Sequence, residues 1–460
     1  MEYTRTLARY AAGLKFEDLP REVVEQVKSL TLHTIGVALA ACGTEQGKEA
    51  IALAKAFGGN KDEATIFGDG SRVAAVQAGF ANGSLADILD WEDCHWTGHP
   101  SANAIPAALA VGEMFRSSGK EYITAVVAGY ELYQRIAQSV QPSEKWGWWT
   151  RGWGLTSWEI FAGAIPAAKL FKLDEDKMAQ AIGLAGVMTP IVNSKRAMSM
   201  SDLYHYQHGL ACRDGITAAF ITRSGFNGVY DILDGENGYW VSVSDQCDWA
   251  WLDKGLGKEY LILETYMKHW PVNMWVNQPV DGVDEIVSAQ KIRAEDVEEI
   301  TVEPIFENRV AYKPQGYNGN VDAQFSVPYC IAAYLLEHEP GPNWYTEKYF
   351  RDPKLLELAG RVKCTGPTMT MRQAFKLMRE GDYPKVTVTI TTKAGKRFST
   401  EVHYAKGHRK NPMTLEEKKA RFRRCASFVL KPARAEEAIE RILDLEKIKD
   451  VSVIADALHN

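Results

Sequence analysis

Residues 82–113 read NGSLADILDWEDCHWTGHPSANAIPAALAVGE. Small and apolar residues crowd both flanks without any period-two alternation, so the stretch reads as two helices, 73–88 and 101–117, joined by a polar connection. Within ten residues that connection holds Asp90, Glu92, Asp93, His95 and His99, beside Trp91 and Trp96. Three acids and two imidazoles run straight into Ala104–Val111, which has to be buried; this points to a pocket lining rather than a surface loop. Pro100 disfavours the helical region for the residue before it and so holds His99 extended. A fixed imidazole close to carboxylates has the makings of general acid–base chemistry. The plainer reading makes Asp93 a helix cap, the tryptophans core and the histidines solvated. Zinc on His95 and His99 would need a continuous helix between them, and Gly98 and Pro100 argue against one, so no metal is expected.

Working outward, Asp18-Leu19-Pro20 followed by Val23, Val27, Leu30, Thr34 and Ala38 predicts a helix over 18–42 with an acidic start and one buried stripe. Further helices are expected over 47–57, 119–139, 156–171, 175–188, 208–224 and 257–267. The first 265 residues therefore read as all-α. The pattern then changes. Val297–Pro304 (VEEITVEP) alternates with period two, and so do KVTVTITT (385–392) and RFSTEVHY (397–404), which a glycine-containing turn joins as a hairpin. Helical stretches near 322–337 and 370–379 lie between. Thr414–Glu417 is a capping box opening a polar helix, and Ala435–Ile448 forms another. The expected fold class is mainly α. It comprises an all-α domain over 1–267, completed by C-terminal helices 409–460, and a smaller α+β lid domain over 268–408 with an antiparallel sheet.

Composition narrows the function. The 460-residue chain is 46% hydrophobic and 24% charged, with a net charge of −6 and dispersed basic residues, which leaves no electrostatic footprint for nucleic acid. Seven cysteines, scattered and without a CxxC pair, fit reduced thiols. The opening MEYTRTLARY contains no apolar signal segment, and no run approaches the ~20 apolar residues a membrane span needs. A cytoplasmic protein is expected. Phosphate-binding glycine patterns are missing, so no nucleotide cofactor is expected either.

Several stretches together resemble the MmgE/PrpD family, which includes 2-methylcitrate dehydratases, cis-aconitate decarboxylases and iminodisuccinate epimerases. They are LPREVVEQVKSLTLHTIGVALA (19–40), ANGSLADILDWEDCHWTGHPSANAIPAALA (81–110), SGKEYITAVVAGYELYQRIA (118–137), RGWGLTSWEIFAGAIPAAK (151–169), KHWPVN (268–273), DAQFSVPYCIA (322–332) and KGHRKNPMTLEEKKARF (406–422). The resemblance implies a large helical domain with an inserted α+β lid, and a homodimer without metal or organic cofactor. It places Asp90, Asp93 and His99 on the family's acidic and His-Pro-Ser motifs, Lys268 on its lysine before an aromatic-Pro pair, and Tyr329 on a pocket tyrosine. The departures carry information. Gly154, Tyr204 and Asp87 stand where relatives commonly have histidine or lysine, Asn273 stands where they have histidine or another polar residue, and His205 and His208 flank Tyr204.

The expected catalytic set is therefore His99, Asp90, Asp93, Lys268 and Tyr204. His95, Trp96, Arg151, Trp153, His205, His208, Asn273 and Tyr329 form the expected substrate-binding set. Trp146, Trp148, Trp149 and Trp153, interleaved with glycines, look like a binding wall. The leading function is a lyase that removes a proton next to a carboxylate or carbonyl with loss or addition of water. An isomerase or epimerase, a decarboxylase and a non-enzymatic binding protein are the rivals. Fewer cationic groups imply an organic acid or carbonyl substrate that is less anionic and more apolar or cyclic than methylcitrate, with Lys268 holding its anionic oxygen.

Overall fold

The computed structural model describes residues 2–57, 59, 61–141, 156–189 and 202–460. Arg151 and Trp153, with the tryptophan wall around them, lie outside the described residues.

The first part of the chain is a helical assembly whose centre is the helix Ser101–Phe115, buried along nearly its whole length. Ala75–Asp87, Thr156–Leu170 and Leu203–Arg223 pack around it. Small residues permit this. The Cα of Gly215 sits so close to the helix Thr156–Leu170 that a Cβ there would lie 2.5 Å from the carbonyl oxygen of Ile160 and 2.6 Å from the nitrogen of Ala164. The chain also opens with a helix the sequence reading did not anticipate, Tyr3–Gly13, which buries Leu7, Ala8 and Ala11.

Two expectations need correction. Residues 257–267 form no helix: a short 3-10 turn, Leu261–Glu264, leads into the strand Tyr266–Met267, which pairs antiparallel with Asp93–Cys94. The backbone partners offered by the acidic connection outweigh the local helical spacing. The lid sheet is mixed rather than antiparallel. Its order is Arg397–Val402, Val386–Thr392, Val297–Glu303, Val362–Cys364, and the last strand runs parallel to Val297–Glu303. The helices between residues 320 and 360 supply the long crossover that a parallel neighbour requires.

The capping box at Thr414 opens the helix Leu415–Ala426, which returns to the first helices: a Cβ on Gly36 would meet the Phe422 ring at 3.2 Å. From that helix Arg421 donates to the carbonyl of Lys268 over 2.6 Å, so the C-terminal segment braces the floor of the polar cluster. Among the described residues no helix is long and apolar enough to cross a membrane.

Gly215→Ala tests the close helix contact. It should lower stability by about 1–3 kcal/mol through forced helix separation, read as a lower urea midpoint. An unchanged midpoint would show that the helices can part without loss.

Candidate active site

The polar connection folds inward. Asp87, Asp90, Glu92, Asp93 and His99 are all buried, and Asp90 adopts a left-handed backbone (φ 49°) that turns its carbonyl and carboxylate the same way. Both face Lys268. Its ammonium donates to the Asp90 carbonyl over 3.0 Å and contacts the carboxylates of Asp90 and Glu92, which occupies all three of its hydrogens. Burial would draw the Lys268 pKa down, but Asp90 and Glu92 outweigh it and hold the group charged. This corrects the expectation that Lys268 grips substrate: it is spent on neutralising the acids beneath the site.

Glu92 also touches His99, its Oε1 lying against Nδ1. A carboxylate there favours the tautomer with the proton on Nδ1, leaving Nε2 free as a base. Nε2 faces the Tyr204 hydroxyl at 3.5 Å. Burial, aided by the Lys268 and His208 cations, lowers the His99 pKa well below the ordinary imidazole value. The ring is thus neutral and oriented. Its own backbone is held by Glu159, whose Oε1 accepts from the His99 N–H over 3.1 Å.

Asp93 takes the helix-capping part of the plainer reading rather than a catalytic one. Its carboxylate accepts from the Ser101 N–H at 3.0 Å and from the Tyr130 hydroxyl at 2.7 Å, anchoring the start of the helix Ser101–Phe115. Burial raises its pKa to about 7. It positions the His-Pro-Ser turn and does not line the cavity.

Behind His99 stands a second layer. Starting the helix at Leu203 rather than 208 puts Tyr204 and His208 one turn apart on one face. His205 Nδ1 and Asp87 Oδ2 are 2.8 Å apart, and His205 Nε2 lies 2.9 Å from Gln324 Oε1. His208 sits between Asp87 (3.4 Å) and Glu159 (2.6 Å). Burial opposes its charge, but those two carboxylates win and raise its pKa to about 9, whereas burial leaves His205 lowered. Burial also pushes the Asp87 carboxyl up, only partly opposed by His208. Both histidines serve this layer rather than the cavity wall.

The cavity lies where the two parts of the chain meet. His95, Trp96, His99 and Tyr204 line it from one side; Asn273, Trp275, Arg309, Met371 and Phe375 line it from the other. It measures about 30 Å³, room for roughly two waters. His95 is neutral, its pKa drawn down to about 3 by burial, and its Nδ1 meets the Thr97 hydroxyl at 2.9 Å. Tyr329 is elsewhere: its hydroxyl donates to the Trp344 carbonyl and its ring packs on Tyr317 and Tyr345. Glu159, Gln324 and Arg309 are the residues around the site that sequence reasoning missed; Asp87 and Glu92 were singled out there but given no role. Glu159, an acid amid the apolar run of a buried helix, was the one with a readable signal.

Asp87/His99/His208 and Asp90/Glu92/His99 each bring three ligand-type atoms within 4.8 Å of one another and could hold a cation. Lys268 already lies against Asp90 and Glu92, so a dication in the second set would press against an ammonium.

Family comparison agrees with this architecture. Cis-aconitate decarboxylase from Aspergillus terreus is 22% identical to the chain over 487 residues, covering 99% of the chain and 96% of the relative. The Homo sapiens cis-aconitate decarboxylase is 24% identical over 472 residues, covering 99% and 94%. The family models for the MmgE/PrpD N-terminal domain and the MmgE/PrpD C-terminal domain match residues 5–252 and 270–446. The strand Tyr266–Met267 and Lys268 lie in the short segment between the two matches, and the chain belongs to the MmgE/PrpD family.

Proposed function

We propose that this protein is a lyase that removes a proton next to a carboxylate or carbonyl, with His99 as the base. The observation that carries this is the state of His99: a neutral imidazole on the wall of an enclosed cavity, its Nδ1 against a carboxylate and its Nε2 facing inward. The lone pair on Nε2 takes the proton. The electron pair of the broken C–H bond moves into the adjacent carbonyl or carboxylate to give an enolate, and its return breaks the C–O bond and expels the hydroxyl, which leaves as water by taking back the proton held on His99. Burial and the nearby acids raise the Tyr204 pKa, so its hydroxyl stays protonated and supplies a hydrogen-bond donor to the departing oxygen.

A second reading has a specific observation behind it. The relatives are named cis-aconitate decarboxylases, and loss of carbon dioxide leaves the same kind of carbanion, which His99 in its protonated form would quench. The two readings share the site and differ in which bond to carbon breaks. Gas release in place of dehydration separates them.

His99→Asn should cut kcat by about 10²–10⁴-fold while leaving the melting temperature within a few degrees of the parent. Retained turnover would remove His99 from the chemistry. The pH profile gives an independent check. Because the His99 pKa is lowered from 6.5, its basic form persists as pH falls through that value. The acid limb of kcat/KM should therefore lie below pH 6.5, and a limb at or above it would contradict a neutral, buried base. Activity should also survive dialysis against a chelator, since Lys268 already lies against Asp90 and Glu92 and a protonated His208 already lies against Asp87; loss reversed only by a divalent ion would place a metal in one of these clusters.

A further inference from the structure

Arg309 is a buried cation without an anion. It follows the strand Ile305–Phe306, and Asn308 before it adopts a left-handed backbone (φ 62°). Its Nε donates to Asn273 Oδ1 over 2.7 Å and its Nη1 to the Asn308 carbonyl over 3.0 Å, while its guanidinium stacks 4.4 Å above the Phe325 ring. All three partners are neutral. Among the described residues no carboxylate lies within ion-pairing distance of it. Burial lowers its pKa only to about 10, so it remains charged at neutral pH.

A buried charge without a counter-charge is costly, and a guanidinium fixed at Nε and Nη1 still offers Nη2 in a plane that matches a carboxylate. The cavity it lines holds two other groups able to carry positive charge, His95 and His99, and burial keeps both neutral. Arg309 is thus the cation of the cavity among the described residues.

We propose that Arg309 is the carboxylate-binding residue of the site, and that the substrate presents one carboxylate to it and an apolar or cyclic body to Trp96, Trp275 and Phe375. This rests on the reading of His99 as base and names the substrate class for it. The limit to one carboxylate comes from the opposite wall. Behind His99 stand Asp87, Asp90, Glu92 and Glu159, all buried, against the cations Lys268 and His208. A second carboxylate reaching past Arg309 would enter that acid-rich wall, where among the described residues the cavity holds no second cation to offset its lost hydration.

The network that sets Arg309 also links it to the proton-moving wall. Asn273, its Nε partner, donates its backbone N–H to the Gln324 carbonyl over 3.1 Å, and the Gln324 side chain meets His205. Anion binding on the lid side is therefore coupled, through packed and hydrogen-bonded groups, to the layer behind His99.

Binding is the test, measured calorimetrically with cyclohexanecarboxylate and benzoate, their primary amides, and the tricarboxylate tricarballylate. Parent protein and His99→Asn should both bind each monoacid about 10- to 100-fold more tightly than its amide and more tightly than tricarballylate. Arg309→Gln should abolish the acid-over-amide preference, and Arg309→Lys should keep only part of it. The parent's preference stands as a readout even where Arg309→Gln folds poorly, because Arg309→Lys retains the charge without the fork. Equal binding of acid and amide, absence of binding by either monoacid at millimolar concentration, tighter binding of tricarballylate, or an undiminished preference in Arg309→Gln would each overturn the assignment. Since His99→Asn is read for binding here and for turnover above, failure of the anion subsite and failure of the proton-transfer reading are told apart.

Discussion

The Lys268 ammonium buried between Asp90 and Glu92 is the contact on which the geometry of the site depends. It joins the acidic connection of the helical part to the chain entering the lid, and it does so with all three hydrogens satisfied. Two carboxylates at that depth without it would carry an unpaired charge, the kind of defect that costs about 3–5 kcal/mol when one partner of a buried pair is removed. The pairing of Asp93–Cys94 with Tyr266–Met267 delivers the lysine to its place, and the Lys268 N–H adds a 3.3 Å bond to the Glu92 carbonyl. Glu92, held in this way, is free to orient His99 with the same oxygen. The base of the proposed reaction therefore owes its tautomer to a lysine that never reaches the cavity.

Charge is distributed in layers. Next to the cavity the imidazoles of His95 and His99 are neutral; one layer behind, His208 carries a proton between Asp87 and Glu159, and Lys268 carries one between Asp90 and Glu92. Burial lowers the pKa of the base, the cations behind it add to that, and the surrounding carboxylates keep those cations charged. Among the described residues, the positive group that faces the space itself, Arg309, comes from the lid side. In the proposed reaction the carboxylate is held by Arg309 from one part of the chain and the proton is taken by His99 from the other.

Much of the fold was readable because it rests on local pattern. The buried stripe over 18–42 became the helix Arg21–Ala41, the capping box at Thr414 opened a helix, and the period-two runs became the paired strands Val386–Thr392 and Arg397–Val402. Where the reading failed, a partner distant in sequence was deciding: the strand at 266–267 exists because Asp93–Cys94 offers it a ladder, and the parallel strand Val362–Cys364 depends on a crossover that no local spacing announces.

For the site, the sequence by itself supplied the residue types at hand: an imidazole before a proline beside a cluster of acids, Tyr204 flanked by histidines, and a lysine ahead of an aromatic-Pro pair. Residue types and short spacings are local facts, and they carried that much. Only the tertiary structure decided the roles. It turned Asp93 into an anchor for Ser101, committed Lys268 to Asp90 and Glu92, withdrew His205 and His208 behind the wall, moved Tyr329 into the lid core, and brought Arg309 to the cavity from more than 200 residues beyond His99 in the chain. The physical reason is that a charged group's role depends on which opposite charge it meets and how much water it keeps. Both are properties of contacts between distant segments, and no stretch of sequence contains them.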